Sequence, residues 1–118
     1  MARILVVDDS AFVRLRTAQL LRAAGHQVIE AADGRAAVDA YMRERPDAVL
    51  MDITMPEMDG LTALDEIRSV DPKAKVAMLT AIGQQSVVMD AIRRGAREFL
   101  VKPFHVDPFL SAVARLLR

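Results

Sequence analysis

Five short, almost unbroken apolar runs rich in Val, Ile and Leu set the tightest limit on how this chain can fold; they lie at residues 4–7, 28–31, 48–51, 76–79 and 99–101. A strand with one wet face alternates apolar and polar residues, whereas a strand covered on both faces does not need to. Unbroken runs of this kind belong to parallel sheets. The segments between them carry helical spacing instead. Val13, Leu20, Leu21 and Ala24 mark one face of the first, and Ala37, Val38 and Tyr41 mark the second. Leu61, Leu64 and Ile67 mark the third, Val88, Ala91 and Ile92 the fourth, and Leu110, Val113 and Leu117 the fifth. Gly25 and Gly95 follow helical segments, where a left-handed cap suits glycine, and Pro46 and Pro72 stand between a helix and the next strand. Alternation of strand and helix predicts an α/β fold, a five-stranded parallel sheet with helices on both faces. With no linker, low-complexity stretch or tail in sight, residues 1–118 read as one domain.

Composition removes several classes of function. At 53% hydrophobic residues the chain is not a disordered segment. Sixteen basic and sixteen acidic residues cancel, so the positive surplus that neutralises phosphates is missing and direct nucleic-acid binding is not expected. Aromatic residues are only 4%, with no Trp, which also argues against a base-stacking platform. The absence of Cys rules out disulfides, thiolate metal sites and Cys nucleophiles. No stretch reads as a membrane span or export signal, because the first apolar run is short and acids follow it at once. The expected setting is cytoplasmic, with no membrane contact.

In a parallel sheet all C-terminal strand ends share one edge, and open α/β sheets bind their ligands in the crevice there. After the first run come Asp8 and Asp9, after the third Asp52, after the fourth Thr80, and after the fifth Lys102 and Pro103. The second run leads into Asp33-Gly34, a turn and helix start, and suits a strand away from the site. Taken singly, an Asp pair before a helix reads as a cap, Asp52 as a turn residue, Thr80 as a strand end and Lys102 as a solvated lysine. Taken together, three carboxylates at one edge repel, and opposite charge must hold them ionised. Lys102 supplies one unit, and a divalent cation would supply the rest. An all-oxygen site of this kind suits Mg²⁺ or Mn²⁺ rather than zinc.

These residues stand in a wider pattern: Val6-Val7-Asp8-Asp9-Ser10, Met51-Asp52-Ile53-Thr54-Met55-Pro56-Glu57-Met58-Asp59-Gly60, Thr80-Ala81, and Phe99-Leu100-Val101-Lys102-Pro103-Phe104. In this order and spacing the chain resembles, over essentially its whole length, a response-regulator receiver domain of two-component signalling. The loop after Asp52 and the run Gly83-Gln84-Gln85 are most similar to chemotaxis-type single-domain regulators. The resemblance implies a doubly wound sheet of order 2-1-3-4-5, which such regulators share with flavodoxin. It implies that Asp52 takes a phosphoryl group from the phosphohistidine of a sensor histidine kinase, a carboxylate nucleophile forming an aspartyl phosphate. Asp8, Asp9, Asp52 and the backbone carbonyl of Thr54 would hold Mg²⁺. Lys102 and Thr80 would contact phosphoryl oxygens, and Pro103 would follow a cis peptide. Phe99 would be the aromatic switch residue, coupled to Thr80. A downstream protein target would bind the face built from the fourth helix, fifth strand and fifth helix, and the chain would be a monomer or weak dimer. It would act as a switch that catalyses only its own phosphorylation and dephosphorylation. Thr54 and Ile82, two residues beyond Asp52 and Thr80, would tune the lifetime of the phosphoryl group, Ile82 by excluding water.

Other readings share parts of the pattern. The chain could be the receiver half of a longer DNA-binding regulator. An Asp-nucleophile phosphatase of the haloacid-dehalogenase type is disfavoured because Thr54 stands where that motif has a second Asp. A flavodoxin-like electron carrier is disfavoured because Asp8-Asp9 would repel a flavin phosphate. His26 and His105 read as solvated loop residues, Arg93, Arg94 and Arg97 as complements to a helix dipole, and Met51, Met55 and Met58 as packing around Asp52.

Overall fold

The computed structural model describes residues 1–81 and 84–118. Five strands, β1 (Arg3–Val7), β2 (Gln27–Ala31), β3 (Ala48–Asp52), β4 (Val76–Ala81) and β5 (Glu98–Lys102), alternate with five helices, α1 (Ala11–Ala23), α2 (Gly34–Glu44), α3 (Gly60–Val70), α4 (Gln85–Arg93) and α5 (Val106–Leu117). The strands are all parallel and ordered β2-β1-β3-β4-β5. This is the doubly wound arrangement the sequence resemblance implies.

The unbroken apolar runs become strands buried from both sides. Leu5 and Val7 of β1 join Val49, Met51 and Met78 under α2, α3 and α4, where Val38, Tyr41, Leu64, Ile67 and Ala91 cover them. Ile4 and Val6 point the other way and join Leu50, Ala77 and Leu79 under α1 and α5. Ile4, Leu5, Val6 and Val7 are all fully buried, each worth about 1.5–3 kcal/mol of transfer free energy. The sheet thus separates two cores, and their packing holds its C-terminal edge in place.

Local chemistry sets the helix starts. Side-chain oxygens of Ser10, Asp33 and Asp59 accept from the backbone N–H groups of Val13, Ala36 and Thr62, satisfying donors that a helix cannot satisfy itself. Gly25 and Gly95 take φ of 93° and 101° just beyond their helices. Strands β3, β4 and β5 run past the apolar runs, so Asp52, Thr80 and Lys102 belong to the strands themselves. The parallel ladder continues through backbone atoms and is indifferent to the polarity of these side chains.

Three helical faces differ from the spacing. Ala24 is exposed, since it caps α1 beyond its last turn, and Ile92 is exposed because α4 buries only Ala91. In α5 the buried face is Phe109, Ala112, Val113 and Leu116, with Leu110 and Leu117 on its flanks. Phe109 stacks on Phe104, ring centroids 4.7 Å apart. Among the described residues no helix is long and apolar enough to cross a membrane.

Candidate functional site

Register brings the acids together. Val7 pairs with Met51, so Asp8, the residue after β1, stands beside Asp52 at the end of β3. Asp8, Asp9 and Asp52 each present a carboxylate oxygen, and these atoms lie within 4.8 Å of one another. Asp8 is buried, Asp52 half-buried and Asp9 exposed, a gradient from the sheet edge into solvent. Ser10 fixes the first of them, its backbone N–H donating to Asp8 Oδ1 at 2.9 Å. The same residue caps α1, which leaves both Asp side chains free of the capping role that an Asp pair before a helix can take. Arg14 adds a brace from α1: its Nη1 donates to the backbone carbonyl of Asp8 at 2.7 Å, and its Nε to Glu30 of β2 at 3.1 Å.

Lys102 reaches in from β5. Its Nζ donates to Asp8 Oδ2 at 2.7 Å and lies 3.2 Å from Asp52 Oδ2. Burial lifts the Asp52 carboxyl above the ordinary aspartate range; Lys102 pulls against this, while Asp8 and Asp9 push the same way as burial. Burial works against the Lys102 ammonium too, but its contacts with Asp8 and Asp52 outweigh that and hold its pKa above that of a free lysine. The Lys102–Pro103 peptide bond is cis. One ammonium among three carboxylates leaves a surplus of negative charge in a small all-oxygen cluster. That donor set fits a hard divalent cation such as Mg²⁺.

Thr80 completes the inner wall. It is buried, and its hydroxyl donates to the Leu100 carbonyl at 3.5 Å, a long contact for a hydroxyl. Phe99 is half-buried and packs against the α2–α3–α4 core. It borders a groove of about 420 Å³ shared with Thr80, Ala81, Val88, Met89 and Val101. Thr54 is exposed in the loop after β3. Backbone contacts bind that loop tightly: Gly60 N–H donates to the Ile53 carbonyl at 2.7 Å, and Gly34 N–H donates to the Met58 carbonyl at 3.1 Å. Ile82 lies outside the described residues.

Three residues at the site take roles that the sequence reading does not assign. Ser10 carries a signal, a hydroxyl just ahead of a helix. Arg14 grips a backbone carbonyl, which leaves no trace in side-chain pattern. Gln84 donates from Nε2 to Thr54 Oγ1 at 3.3 Å and accepts at Oε1 from the Ala81 N–H at 2.6 Å. His26 is a correction: it is half-buried, and its Nδ1 accepts from the Ala2 N–H at 3.2 Å. His105 is exposed at the start of α5. Arg94 pairs with Asp90 of its own helix at 3.2 Å and with Asp65 of α3 at 2.8 Å. Met51 and Met55 are buried and Met58 packs on the same core.

Comparison with known proteins gives a consistent answer. Residues 4–114 match the family described as response regulator receiver domain. The chain is 51% identical to the chemotaxis protein CheY of Bacillus subtilis, covering 98% of this chain and 97% of that protein. Its fold superposes on the CheX–CheY–BeF₃–Mg²⁺ complex from Borrelia burgdorferi with a TM-score of 0.93 at 38% identity, covering 98% of this chain and 89% of that one. It superposes equally well on NtrX from Brucella abortus, TM-score 0.94 at 37% identity, where it covers 98% of this chain but spans only 26% of the longer one.

Proposed function

Since this chain belongs to the response regulator receiver domain family, the phosphorylation-dependent switches of two-component signalling, we propose that Asp52 is its phosphoacceptor and that the receiver unit extends over residues 1–118. The observation that carries this reading is the meeting of Asp8, Asp9 and Asp52 within 4.8 Å with the Lys102 ammonium between two of them.

A carboxylate oxygen of Asp52 attacks phosphorus on the phosphohistidine of a sensor histidine kinase. The phosphorus–nitrogen bond breaks, and the imidazole leaves with its electron pair. Asp8, Asp9, Asp52 and the backbone carbonyl of Thr54 would hold Mg²⁺, with Mn²⁺ as a substitute. Bound there, it would supply neutralisation of the negative charge gathering on the transferring group. Lys102 is already aimed at Asp52 and meets one phosphoryl oxygen. Thr80, held in the resting form by a long contact to the Leu100 carbonyl, donates to another. The chain catalyses its own phosphorylation and dephosphorylation and acts on no external substrate.

A phosphoryl group adds roughly two negative charges and strong acceptors. Moving Thr80 towards it changes the groove beside Phe99, which opens on the α4–β5–α5 face. That face carries the exposed apolar side chains of Met89, Ile92 and Val101 and receives a downstream protein target. Likeness to chemotaxis proteins supports a chemotaxis pathway and a cytoplasmic monomer or weak dimer. The likeness to one quarter of NtrX supports a second reading, the receiver half of a longer DNA-binding regulator. The phosphatase reading has no support, as Thr54 lacks the carboxyl it requires.

The test is mass spectrometry after incubation with acetyl phosphate. Wild type gains one phosphoryl group with Mg²⁺ and none without it, and Asp52→Asn gains none. Equal incorporation by the variant overturns the assignment.

A further inference from the structure

Resting on that reading of Asp52, we propose that Gln84 is a positioning residue whose carboxamide latches the end of β4 to the loop after β3 and favours the resting form of the switch. One side chain makes both bonds: Oε1 accepts from the Ala81 N–H at 2.6 Å, and Nε2 donates to Thr54 Oγ1 at 3.3 Å. Ala81 is the neighbour of Thr80 and the last residue of β4, while Thr54 lies two residues beyond Asp52. The latch therefore joins the segment carrying the mobile hydroxyl to the segment carrying the phosphoacceptor. Gln84 sits at the N-cap position of α4 yet makes no side-chain cap bond to the helix. Its polar atoms serve the end of β4 and the loop after β3 rather than the helix donors.

The sign of the effect follows from Thr80. Its buried hydroxyl leans on the Leu100 carbonyl, on the β5 side of its strand. To reach a phosphoryl oxygen on Asp52 it must swing towards β3, and the Ala81 amide moves with it. That displaces an N–H held by Gln84 and strains the bridge to Thr54. A contact made better in one of two states shifts the balance towards that state by its differential energy and no more. Two exposed hydrogen bonds together contribute about 1 kcal/mol net, which corresponds to about a fivefold change in affinity for a phosphoryl mimic.

The experiment is titration of the full chain with beryllofluoride at saturating Mg²⁺, followed by calorimetry, with melting temperatures measured in parallel. Gln84→Met keeps the side-chain length and removes both bonds. It should bind the mimic about fivefold more tightly while its metal-free melting temperature stays level or falls. Structural damage alone would weaken binding and stability together, so a gain of affinity is specific to the latch. Thr54→Val should give part of the gain, and the double variant should give no more than Gln84→Met, because the two residues share one bridge. An unchanged or weaker affinity in Gln84→Met overturns the proposal, as does full additivity with Thr54→Val. Asp52→Asn separates the two levels: if it binds the mimic as wild type does, the Asp52 reading fails, whatever the Gln84 variants show.

Discussion

The ammonium of Lys102 hydrogen-bonds Asp8 at 2.7 Å, with Asp8 almost wholly buried at 1% exposure. Lys102 is thus the resident counter-ion of a carboxylate that we propose also holds the cation. The two positive charges compete for Asp8. Lys102→Ala should therefore bind Mg²⁺ more tightly than wild type, by about tenfold, equivalent to about 1.4 kcal/mol of relieved repulsion at an effective dielectric between surface and interior. Calorimetric titration with Mg²⁺ checks it. The same variant should lose phosphorylation by acetyl phosphate, since nothing replaces the ammonium at Asp52.

Asp52 carries the opposite imbalance. Its pKa is raised in the fold, chiefly by burial, so the folded state holds its proton more firmly than the unfolded chain does. Stability from this group is therefore complete at acid pH and is lost as pH rises from the ordinary aspartate range, about pH 4, through the raised value. Without metal at pH 7, Asp52→Asn should melt above wild type, because it removes a carboxylate whose ionised form burial disfavours. The gap should close towards pH 4. Adding Mg²⁺ should narrow or reverse it, because the ion binds the folded wild type preferentially. Thermal melts at pH 4 and 7, with and without Mg²⁺, read out all three.

Gly60 is constrained by space. A Cβ there would overlap the backbone carbonyl oxygen of Asp52 and the Cα of Ile53, and backbone atoms cannot step aside as a flexible side chain can. Gly60→Ala should cost about 2–4 kcal/mol in urea unfolding. Gly25→Ala meets no backbone, only the sulfur of Met1, but its φ of +93° disfavours an L side chain; it should cost about 1 kcal/mol. Equal costs would show that the turn beneath Asp52 is less tightly packed than the geometry requires.

Tyr41 ties α2 to the end of α3 through a 2.6 Å bond from its hydroxyl to Asp71 Oδ2. Burial and the Asp71 carboxylate raise the phenol pKa well above the usual value. The folded state thus resists ionisation, and its stability falls as pH climbs past about 10, where the unfolded phenol loses its proton. Tyr41→Phe should cost about 1.5–3 kcal/mol at pH 7, as expected for a bond to a charged acceptor. Its disadvantage should shrink above pH 10, because Phe has no proton to lose. Denaturant midpoints at pH 7 and 10.5 measure the difference.

The fold and the central site were largely legible in the chain because both rest on periodicity and order. Unbroken apolar runs identify strands covered on both faces, and polar residues at their ends must then share one edge, which is how Asp8, Asp9, Asp52, Thr80 and Lys102 can be grouped from sequence. What stays hidden depends on backbone groups or on long side chains crossing between loops. Arg14 reaches a carbonyl, Gln84 reaches an amide and a hydroxyl, and His26 accepts from the second residue of the chain. None of these has a spacing rule. The exposure of Ile92 escapes the helical pattern for a different reason: apolar residues on a helix mark a buried face only when the helix is fully covered, and α4 is not.

That uncovered helix has an energetic meaning. Ala91 is its one fully buried residue, whereas α2 buries Ala37, Val38, Ala40 and Tyr41, and α3 buries Ala63, Leu64 and Ile67. Local stability follows buried apolar contact, so the free energy needed to open or shift α4 sits at the low end of the molecule's range. A perturbation of given size therefore displaces α4 more readily than α2 or α3, whose movement would open the core. The thin anchoring of this one helix makes α4, beside a firmly seated α5, a soft element on an otherwise stiff body.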